Sequence, residues 1–412
     1  SKCIRILDTG YSYGMEAGTF DMALTNLQSR NTLALYFGYK LRPLVDALKD
    51  ALRQFKVYTV TFCNGVTLSL LMMAKCLVGI DPIDWEAIER NMDHDQTETK
   101  ENPKVVHRLV ATYSGLPLLA ALFRRYELAQ HMTKLYDGLS ANAKTYYFDT
   151  TVMLVKGLSA AALYRATGKA KYKKELKRQI DLSRDLVTNK GRNTTSLLQL
   201  LKAEQLSLKS IKANIANVRR TEEAYEVAIA VAEKSLLTHY CAIACEQAAE
   251  YFIRVMKTVS KHSGSEDTHA LRATLRESAC DYMTRAVEFY DEWNCGVKVK
   301  EIQERRSKYL AVRDTGGDAD GRIVDMIMPK KIGFTANSIG PSGASQIANT
   351  VSEGGNSDAK WRQGSSKQHK MEGEGGGSRI SSDPSKAKST SDEGGDDSRV
   401  DDDLSVLTDG SR

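Results

Sequence analysis

The chain has 412 residues, and its charge is unevenly distributed. Residues 1–313 carry 46 Lys and Arg against 35 Asp and Glu, a net of +11, whereas residues 314–412 carry 12 against 17, a net of −5. The second segment also holds 16 of the 29 glycines and 16 serines, and it has few large apolar side chains. Such a composition cannot offset the entropy lost on ordering. It excludes a folded domain there, and we predict a disordered acidic tail over residues 313–412.

The cysteines and the apolar runs indicate in which cellular compartment the protein is located. Seven cysteines at irregular spacing are typical of reduced thiols rather than of a disulfide framework. Residues 1–18 lack the apolar core of a signal peptide. Residues 57–80 are the most apolar run, but Asn64 and Lys75 interrupt it. We therefore predict a buried core helix there, with a membrane span as the alternative, and a cytoplasmic protein.

The distribution of proline predicts an all-α body. No proline lies between Pro117 and Pro329, and this stretch is rich in Ala, Leu, Lys, Glu and Gln, the residues that favour helices. Gly, Pro, Asn and charge clusters mark the breaks, including a predicted loop over residues 93–103. In chain order, helices are predicted over residues 18–38, 44–55, 57–78, 82–91, 104–125, 126–139, 142–167, 171–188, 194–219, 221–237, 240–260, 268–294 and 296–312.

A four-residue pattern of aromatic, acid, aliphatic residue and Ala recurs at residues 20–23, 126–129 and 225–228. The spacings, 106 residues (20 to 126) and 99 residues (126 to 225), are close to three repeats of about 34 residues. Tetratricopeptide repeats place an aromatic and an Ala at this spacing on the second helix of each pair. The pattern predicts an α-solenoid of degenerate tetratricopeptide-like helix pairs over residues 15–312. A helical bundle without repeats is the alternative.

Residues 185–312 contain a more specific series of motifs. A Leu-rich helix with Ala-Glu is followed by a Tyr-(x)2-Ala-Ile-(x)2-Ala helix, an Ala-rich helix with a Glu, and a closing Tyr-(x)2-Trp segment with Lys-Val. This series resembles the C-terminal helical region of very large predicted signalling ATPases, except that Asn294-Cys295 stands where that family has Gly-Ala. The matching residues, to which the resemblance assigns structural roles, are Glu204, Tyr225, Ala228, Glu246, Tyr290, Trp293 and Lys298.

The resemblance implies a function. In that family such arrays follow an AAA-type, STAND-like ATPase module, often with a serine/threonine kinase domain before it and sometimes with a histidine kinase or cyclase domain after the array. It therefore implies a non-catalytic scaffold for protein–protein interaction and regulation, whose partners include its own upstream ATPase or kinase domains. One alternative is a truncated part of an ATP-binding signal-transduction kinase. Another is a basic helical domain that binds nucleic acid or a membrane surface.

Known catalytic motifs are missing from the sequence. It contains no P-loop G-(x)4-G-K-[ST], no protein-kinase motif set and no G-x-S-x-G. We therefore predict no enzymatic activity for this chain and no catalytic, cofactor-binding or metal-binding residues. His239, Cys241 and Cys245 could be considered a metal cluster, but only the two cysteines share a helix face, and zinc needs three or four ligands. We predict that all three are core residues.

The remaining candidate functional sites are charged segments. The cluster Asp93, His94, Asp95, Glu98 and Glu101 is predicted to be a solvated loop rather than a cation site or an acid–base pair.

The lysine-rich run 169–177 is predicted to be a solvated helix face rather than a nucleic-acid patch, because an acid interrupts it. In the tail, acids follow several hydroxyl groups, as acid-directed kinases require. The candidate phosphorylation sites are Ser382, Ser389, Ser391 and Ser398.

Overall fold

The structure, a computed structural model, describes residues 2–101, 105–139, 144–189, 191, 194–209, 215–259 and 266–310. Within these residues the chain forms fourteen α-helices and one 3₁₀ turn, and it contains no strand. The predicted all-α fold class is confirmed. The predicted tail, with its four candidate serines, lies outside the described residues.

The helices follow one another with short connections. Their bounds are α1 (Lys2–Glu16), α2 (Phe20–Tyr36), α3 (Leu41–Val57), α4 (Asn64–Val78), α5 (Trp85–Glu101), α6 (Val106–Leu122), α7 (Tyr126–Gly138), α8 (Tyr146–Thr167), α9 (Ala170–Thr188), α10 (Thr194–Ser207), α11 (Ile215–Lys234), α12 (Thr238–Val259), α13 (Glu266–Glu292) and α14 (Gly296–Arg306). A 3₁₀ turn, Ser307–Tyr309, follows α14.

Besides the helix predicted over the apolar run 57–80, which is described below, three parts of the helix prediction were wrong. Helix α1 was not predicted, and only Ile4 and Gly14 among its residues are buried. Residues 93–101 were predicted to be a loop but continue α5, since Glu, Gln and Lys favour a helix even without an apolar stripe. The single helix predicted over residues 194–219 is two helices, α10 and the start of α11.

Most helices pack in consecutive pairs that form two rows. The pairs are α1 with α2, α3 with α4, α6 with α7, α8 with α9, α10 with α11, and α12 with α13. The even-numbered helices from α2 to α12 also contact one another in order. This repetition gives a solenoid-like, helical-repeat architecture. The even-numbered row is the more enclosed, as α6 shows: all its residues from Leu109 to Leu122 are buried.

The repeated aromatic–acid–aliphatic–Ala pattern lies on second helices of packed pairs but not in one row, since α2 belongs to the even-numbered row and α7 and α11 do not. Its three copies lie on α2, α7 and α11, each the second helix of a packed pair. Their alanines, Ala23, Ala129 and Ala228, are buried. At Ala23 the helices cross closely, since a Cβ added to Gly14 of α1 would lie 2.9 Å from the Ala23 Cβ. The copies start at the first turn of α2 and α7 but in the middle of α11, so the repeats are irregular.

The single buried helix predicted over the apolar run 57–80 is wrong in its first part: the run comprises the end of α3, a turn, and α4, which begins only at Asn64. On α4 the side chains of Leu70, Met73 and Leu77 are buried, while Leu68 and Met72 are exposed. Among the described helices, none has the length and apolar character that would be needed to cross a membrane.

The two ends of the array meet. The backbone N–H of Leu41, at the start of α3, donates to the carbonyl oxygen of Trp293 at 3.0 Å. Helix α14 packs on α4. The Lys298 Nζ atom of α14 donates to the carbonyl oxygen of Leu122, at the end of α6, at 2.7 Å. The array therefore closes on itself, and helices from both halves line its interior.

Gly38 provides a test of this closure. Its φ is +71°, and an added Cβ would lie 2.1 Å from the Nδ1 atom of His239 in the C-terminal half. Gly168 has a similar φ of +66°, but an added Cβ would have no neighbour within 4 Å. Both Gly→Ala substitutions should cost about 1–2 kcal/mol for the left-handed backbone. Only Gly38→Ala should add about 1–3 kcal/mol of overpacking. Urea unfolding measures both, and equal losses would contradict the contact.

Candidate functional site

The polar residues that carry the resemblance meet in the interior of the array. Helix α12 contributes Glu246, Glu250 and Arg254 at four-residue intervals, which places them along one face of the helix. The neighbouring residues of that helix are almost all buried and apolar. Charged side chains in such surroundings need partners, because an unpaired buried charge is strongly unfavourable.

Lys298 is the centre of the first group, which we call the Glu246 cluster. Its side chain is fully buried. Its Nζ atom donates to Glu246 Oε1 at 2.9 Å, to Glu301 Oε2 at 2.7 Å and to the Leu122 carbonyl oxygen at 2.7 Å. The hydroxyl group of Tyr290 donates to the other Glu246 oxygen, Oε2, at 2.9 Å. All three ammonium protons therefore have acceptors.

Three arginines complete the Glu246 cluster around Glu250. Arg306 donates to both carboxylate oxygens of Glu250, from Nε at 2.7 Å and from Nη2 at 2.9 Å. Arg124, between α6 and α7, pairs with the same carboxylate at 2.9 Å. Arg305 also donates to Glu250, and its Nη2 atom donates to Glu246 Oε1 at 2.9 Å. The cluster thus joins α12 and α14 to the α6–α7 turn.

The electrostatic balance keeps these carboxylates ionised. Burial alone would raise the pKa of Glu250, but the hydrogen bonds from Arg306 and the charges of Arg124 and Arg305 lower this pKa below its ordinary range. Burial alone would likewise raise the pKa of Glu301, but the hydrogen bond from Arg305 and the charge of Lys298 outweigh it and lower this pKa. Both groups are therefore charged acceptors at neutral pH.

The second group, the Glu204 cluster, joins α8, α10 and α11. Glu204 is fully buried. Its Oε1 atom accepts from the Tyr225 hydroxyl at 2.6 Å, and its Oε2 atom accepts from Arg165 Nη2. The same Arg165 nitrogen donates to Ser207 Oγ at 2.8 Å. Burial and the charge of Glu204 raise the pKa of Tyr225 well above its ordinary value, so the phenol remains a donor.

Trp293 and the turn that follows it contribute to packing of the core rather than to the polar clusters. Trp293 is buried, and its ring lies 5.4 Å from that of His239. Asn294, which stands where the family has Gly, adopts a left-handed conformation with φ +65°. Asn is the common non-glycine residue in that region, so the turn after Trp293 forms without the glycine. The following Cys295 is buried.

The histidine and cysteines that were weighed as a metal cluster lie in the core. The ring of His239 packs against Tyr240 and Trp293, and burial lowers its pKa to about 3. Burial raises the pKa of the Cys241 and Cys245 thiols. In the described part of the chain, no three His, Cys, Asp or Glu residues are grouped so as to hold a metal ion.

The acidic segment differs from the prediction of a solvated loop. Asp95 lies on α5 and is buried. Its carboxylate accepts from the Tyr113 hydroxyl at 2.8 Å and from Arg108 Nη2 at 3.2 Å. The prediction was wrong for Asp95 because both of its partners lie on the next helix, α6, and the local sequence around Asp95 does not indicate them. The side chains of Asp93, His94, Glu98 and Glu101 lie outside the described residues.

The lysine-rich run 169–177 lies on α9 and the turn before it. Its lysines are exposed, while Leu176 is buried toward α8 and α10. The ammonium group of Lys171 lies 4.8 Å from the ring centroid of Tyr172. The run is therefore the exposed helix face that the sequence predicts.

Several residues of the two clusters were not among the sequence-predicted site residues. They are Arg124, Arg165, Glu250, Arg254, Glu301, Arg305 and Arg306. A signal for some of them existed, since two acids and an arginine at four-residue spacing on the apolar α12 require partners. The sequence pattern could not identify those partners, because Arg124 lies in the α6–α7 turn and Arg165 lies on α8, both far from α12 in the sequence.

Comparisons with known proteins do not assign the chain to a family. No protein-family model matches the chain. A search of the curated proteins finds no significant match. The chemistry of the described clusters is that of carboxylates held by cations and phenols, an arrangement that fixes helices relative to one another.

Lys298 and Lys300 form a matched pair for testing the Glu246 cluster. Lys298→Met leaves Glu246 without its buried ammonium partner, and breaking a buried ion pair in this way costs about 3–5 kcal/mol. Lys300 is on the same helix and is exposed, with its nearest carboxylate, on Glu304, 3.9 Å away. Lys300→Met should change the free energy of unfolding by about 0.5 kcal/mol or less. Chemical denaturation of both variants checks the difference; similar values would contradict the cluster.

The lowered pKa values of Glu250 and Glu301 predict acid sensitivity. A carboxylate with a lowered folded-state pKa stabilises the fold fully above the unfolded pKa of about 4.3. That stability is lost as the pH falls toward the folded-state values. Urea unfolding from pH 7 to pH 3 should therefore show falling stability below about pH 5.

The matched variants are Glu250→Gln and Glu223→Gln, the latter on an exposed position of α11. Glu250→Gln should be less stable at pH 7 but should lose less stability on acidification, because the proton-linked carboxylate is gone. Glu223→Gln should follow the wild-type profile. An unchanged acid slope in Glu250→Gln would show that this carboxylate does not carry the effect.

Proposed function

We propose that the chain is a non-catalytic helical-repeat scaffold that mediates protein–protein interaction and regulation within a larger signalling ATPase or kinase. The resemblance of residues 185–312 to the C-terminal region of such ATPases supports the class of parent molecule. The observation that carries the proposal is an unequal distribution of exposed apolar side chains. They are concentrated at the N-terminal end of the array.

Nine of the thirteen large apolar side chains exposed in the described residues lie on α1 to α4 and the connections between them, and a tenth, Ile80, follows α4. They include Ile6 and Tyr13 on α1, Met22 on α2, and Leu68 and Met72 on α4. Leu68 and Met72 lie one turn apart and share a face of α4. Large apolar groups exposed together mark sites of protein contact. This end of the array is therefore the proposed contact site for the regulated module.

The interior clusters support a scaffold in another way. The motif residues Glu204, Tyr225, Glu246, Tyr290 and Lys298 bond to one another or to buried arginines, and all five are buried. Their polar atoms are occupied in joining helices. A rigid connection between the two ends of the array suits a segment that holds another module in place.

A crosslinking experiment tests the contact site. A photoreactive amino acid is placed at Leu68, 53% exposed, and in a matched variant at Leu182, 40% exposed on α9. We expect the Leu68 probe to crosslink, in the source cells, to a polypeptide segment that contains an ATPase or kinase module. The Leu182 probe should not. Equal crosslinking from both positions, or crosslinks to no such segment, would contradict the proposal.

The non-catalytic part is tested separately. The purified chain should hydrolyse ATP no faster than buffer alone, since the sequence has no phosphate-binding loop. Hydrolysis that rises in proportion to the concentration of the chain, and that survives repurification, would contradict a scaffold.

The exposed lysines of α9 favour a second candidate, a basic binder of nucleic acid or of membrane surfaces. Such binding weakens steeply with salt. RNA or anionic vesicles that bind the wild-type chain at low salt, and that bind a Lys173→Met/Lys177→Met variant less well, would favour this candidate. No binding at low salt would remove it.

A further inference from the structure

Three interior arginines carry buried nitrogens for which the described residues supply no acceptor. They are the Nε atoms of Arg124 and Arg165 and both the Nε and Nη2 atoms of Arg254. Buried donors in proteins are nearly always hydrogen-bonded. Four unmatched donors on three cations are unusual, and they point to an acceptor that comes from outside the fold.

The three arginines belong to one region. Arg254 lies one helical turn beyond Glu250, whose carboxylate pairs with Arg124 at 2.9 Å. Arg254 also interacts electrostatically with Arg165 and with Glu204, the partner of Arg165. Burial and repulsion from Arg165 lower the pKa of Arg254, as is expected of a cation without a full complement of acceptors. Arg254 therefore lies between the Glu204 and Glu246 clusters.

The charges of the region do not balance. Its carboxylates are Glu204, Glu246, Glu250 and Glu301, which contribute four negative charges. Its cations are Arg124, Arg165, Arg254, Lys298, Arg305 and Arg306, which contribute six positive charges. The difference, six minus four, is an excess of two positive charges. A phosphate monoester carries about 1.5 to 2 negative charges at pH 7 and three acceptor oxygens, so its charge matches this excess better than one carboxylate does.

The arginines are also the accessible part of the region. The carboxylates of Glu204 and Glu250 are 0% and 5% exposed, whereas the side chains of Arg165 and Arg124 are 17% and 30% exposed. Parts of the Arg124 and Arg165 side chains therefore reach solvent, although the four unmatched nitrogens are themselves buried, so an anion would reach these donors only after the arginine side chains shift toward it. Guanidinium groups bind phosphate oxygens through paired N–H donors.

We propose that Arg124, Arg165 and Arg254 form a binding site for a phosphate group, with Arg254 as its principal donor. The phosphate belongs to a small phosphorylated molecule or to a phosphoserine. The proposal does not depend on the scaffold function, because it rests only on the unmatched donors, the charge excess and the accessibility of the arginines.

The experiment compares wild type and Arg254→Met by thermal unfolding while inorganic phosphate is added to a phosphate-free buffer. For wild type we expect a saturable rise in Tm of about 5 °C at a phosphate concentration near 100 times Kd. Arg254→Met should show no saturable rise. In phosphate-free buffer its Tm should be equal to or higher than that of wild type, because a buried cation with unmatched donors is removed.

A matched control separates this site from general effects of phosphate. Phosphate stabilises most proteins by exclusion from their surface, and it also binds exposed lysines. Lys173→Met/Lys177→Met removes charge from the exposed face of α9 and should keep the full wild-type response. Arg254→Lys keeps the charge but lacks the Nε and Nη2 donors, and its response should be much smaller. Calorimetric titration with phosphate should show the same order of affinities.

Three results would overturn the proposal. The first is an equal phosphate response in wild type and Arg254→Met. The second is a response that only the α9 variant loses, which would indicate adventitious binding to the basic face. The third is no saturable binding of phosphate to wild type, which would mean that water satisfies the arginines.

A second titration distinguishes the two sources of the phosphate group. The probe is a peptide of residues 381–393, phosphorylated at Ser382, Ser389 and Ser391, with the unphosphorylated peptide as control. Tight binding of the phosphopeptide to wild type and not to Arg254→Met would identify the chain's own tail as the source. Binding of inorganic phosphate without binding of the phosphopeptide would identify a small molecule.

Discussion

The ion pair between Lys298 and Glu246 is the interaction on which much of the described structure depends. An ammonium group that is fully buried loses its hydration, a cost of several kcal/mol that only well-placed acceptors offset. Here the acceptors are two carboxylates and the last carbonyl oxygen of α6. Because these atoms belong to α6, α12 and α14, the lysine can be satisfied only when three distant parts of the chain are together. The pair therefore adds specificity to the fold, since loosely packed alternatives would leave the charge without acceptors.

The segment that contains Lys298 also closes the array. The segment after α13 turns at Asn294 in a left-handed conformation and leads directly into α14. That turn brings the carbonyl oxygen of Trp293 to the backbone of Leu41, while Lys298 reaches the end of α6. The Glu246 cluster then lies along the interior face of α12, and Arg254 on the same face interacts with Glu204 of the second cluster. The proposed scaffold and phosphate site both use this geometry, the first at the N-terminal end of the array and the second in its interior.

The sequence predicted the fold class well because helix formation is largely local. Proline distribution and apolar periodicity predict most of the helices, whereas the motif residues Glu204, Tyr225, Glu246, Tyr290 and Lys298 are indicated by the family resemblance. Their partners could not be predicted in the same way. Lys298 and Leu122 are 176 residues apart, so no local pattern connects them. Helix α1 was missed for a different reason: only Ile4 and Gly14 among its residues are buried, and periodicity reports burial rather than helicity.

The hydrogen bond between Leu41 and Trp293 changes how stability should be shared along the chain. In an open array of repeats, each helix pair contacts only its neighbours, and an end can fray without affecting the middle. Here α3 and α4 contact the segment from Trp293 through α14, so this segment cannot open without breaking contacts in the N-terminal half. Local opening at one end must break contacts at the other, which makes unfolding of the described body a collective event. It also slows folding, because the contacts that close the array join residues far apart in the chain.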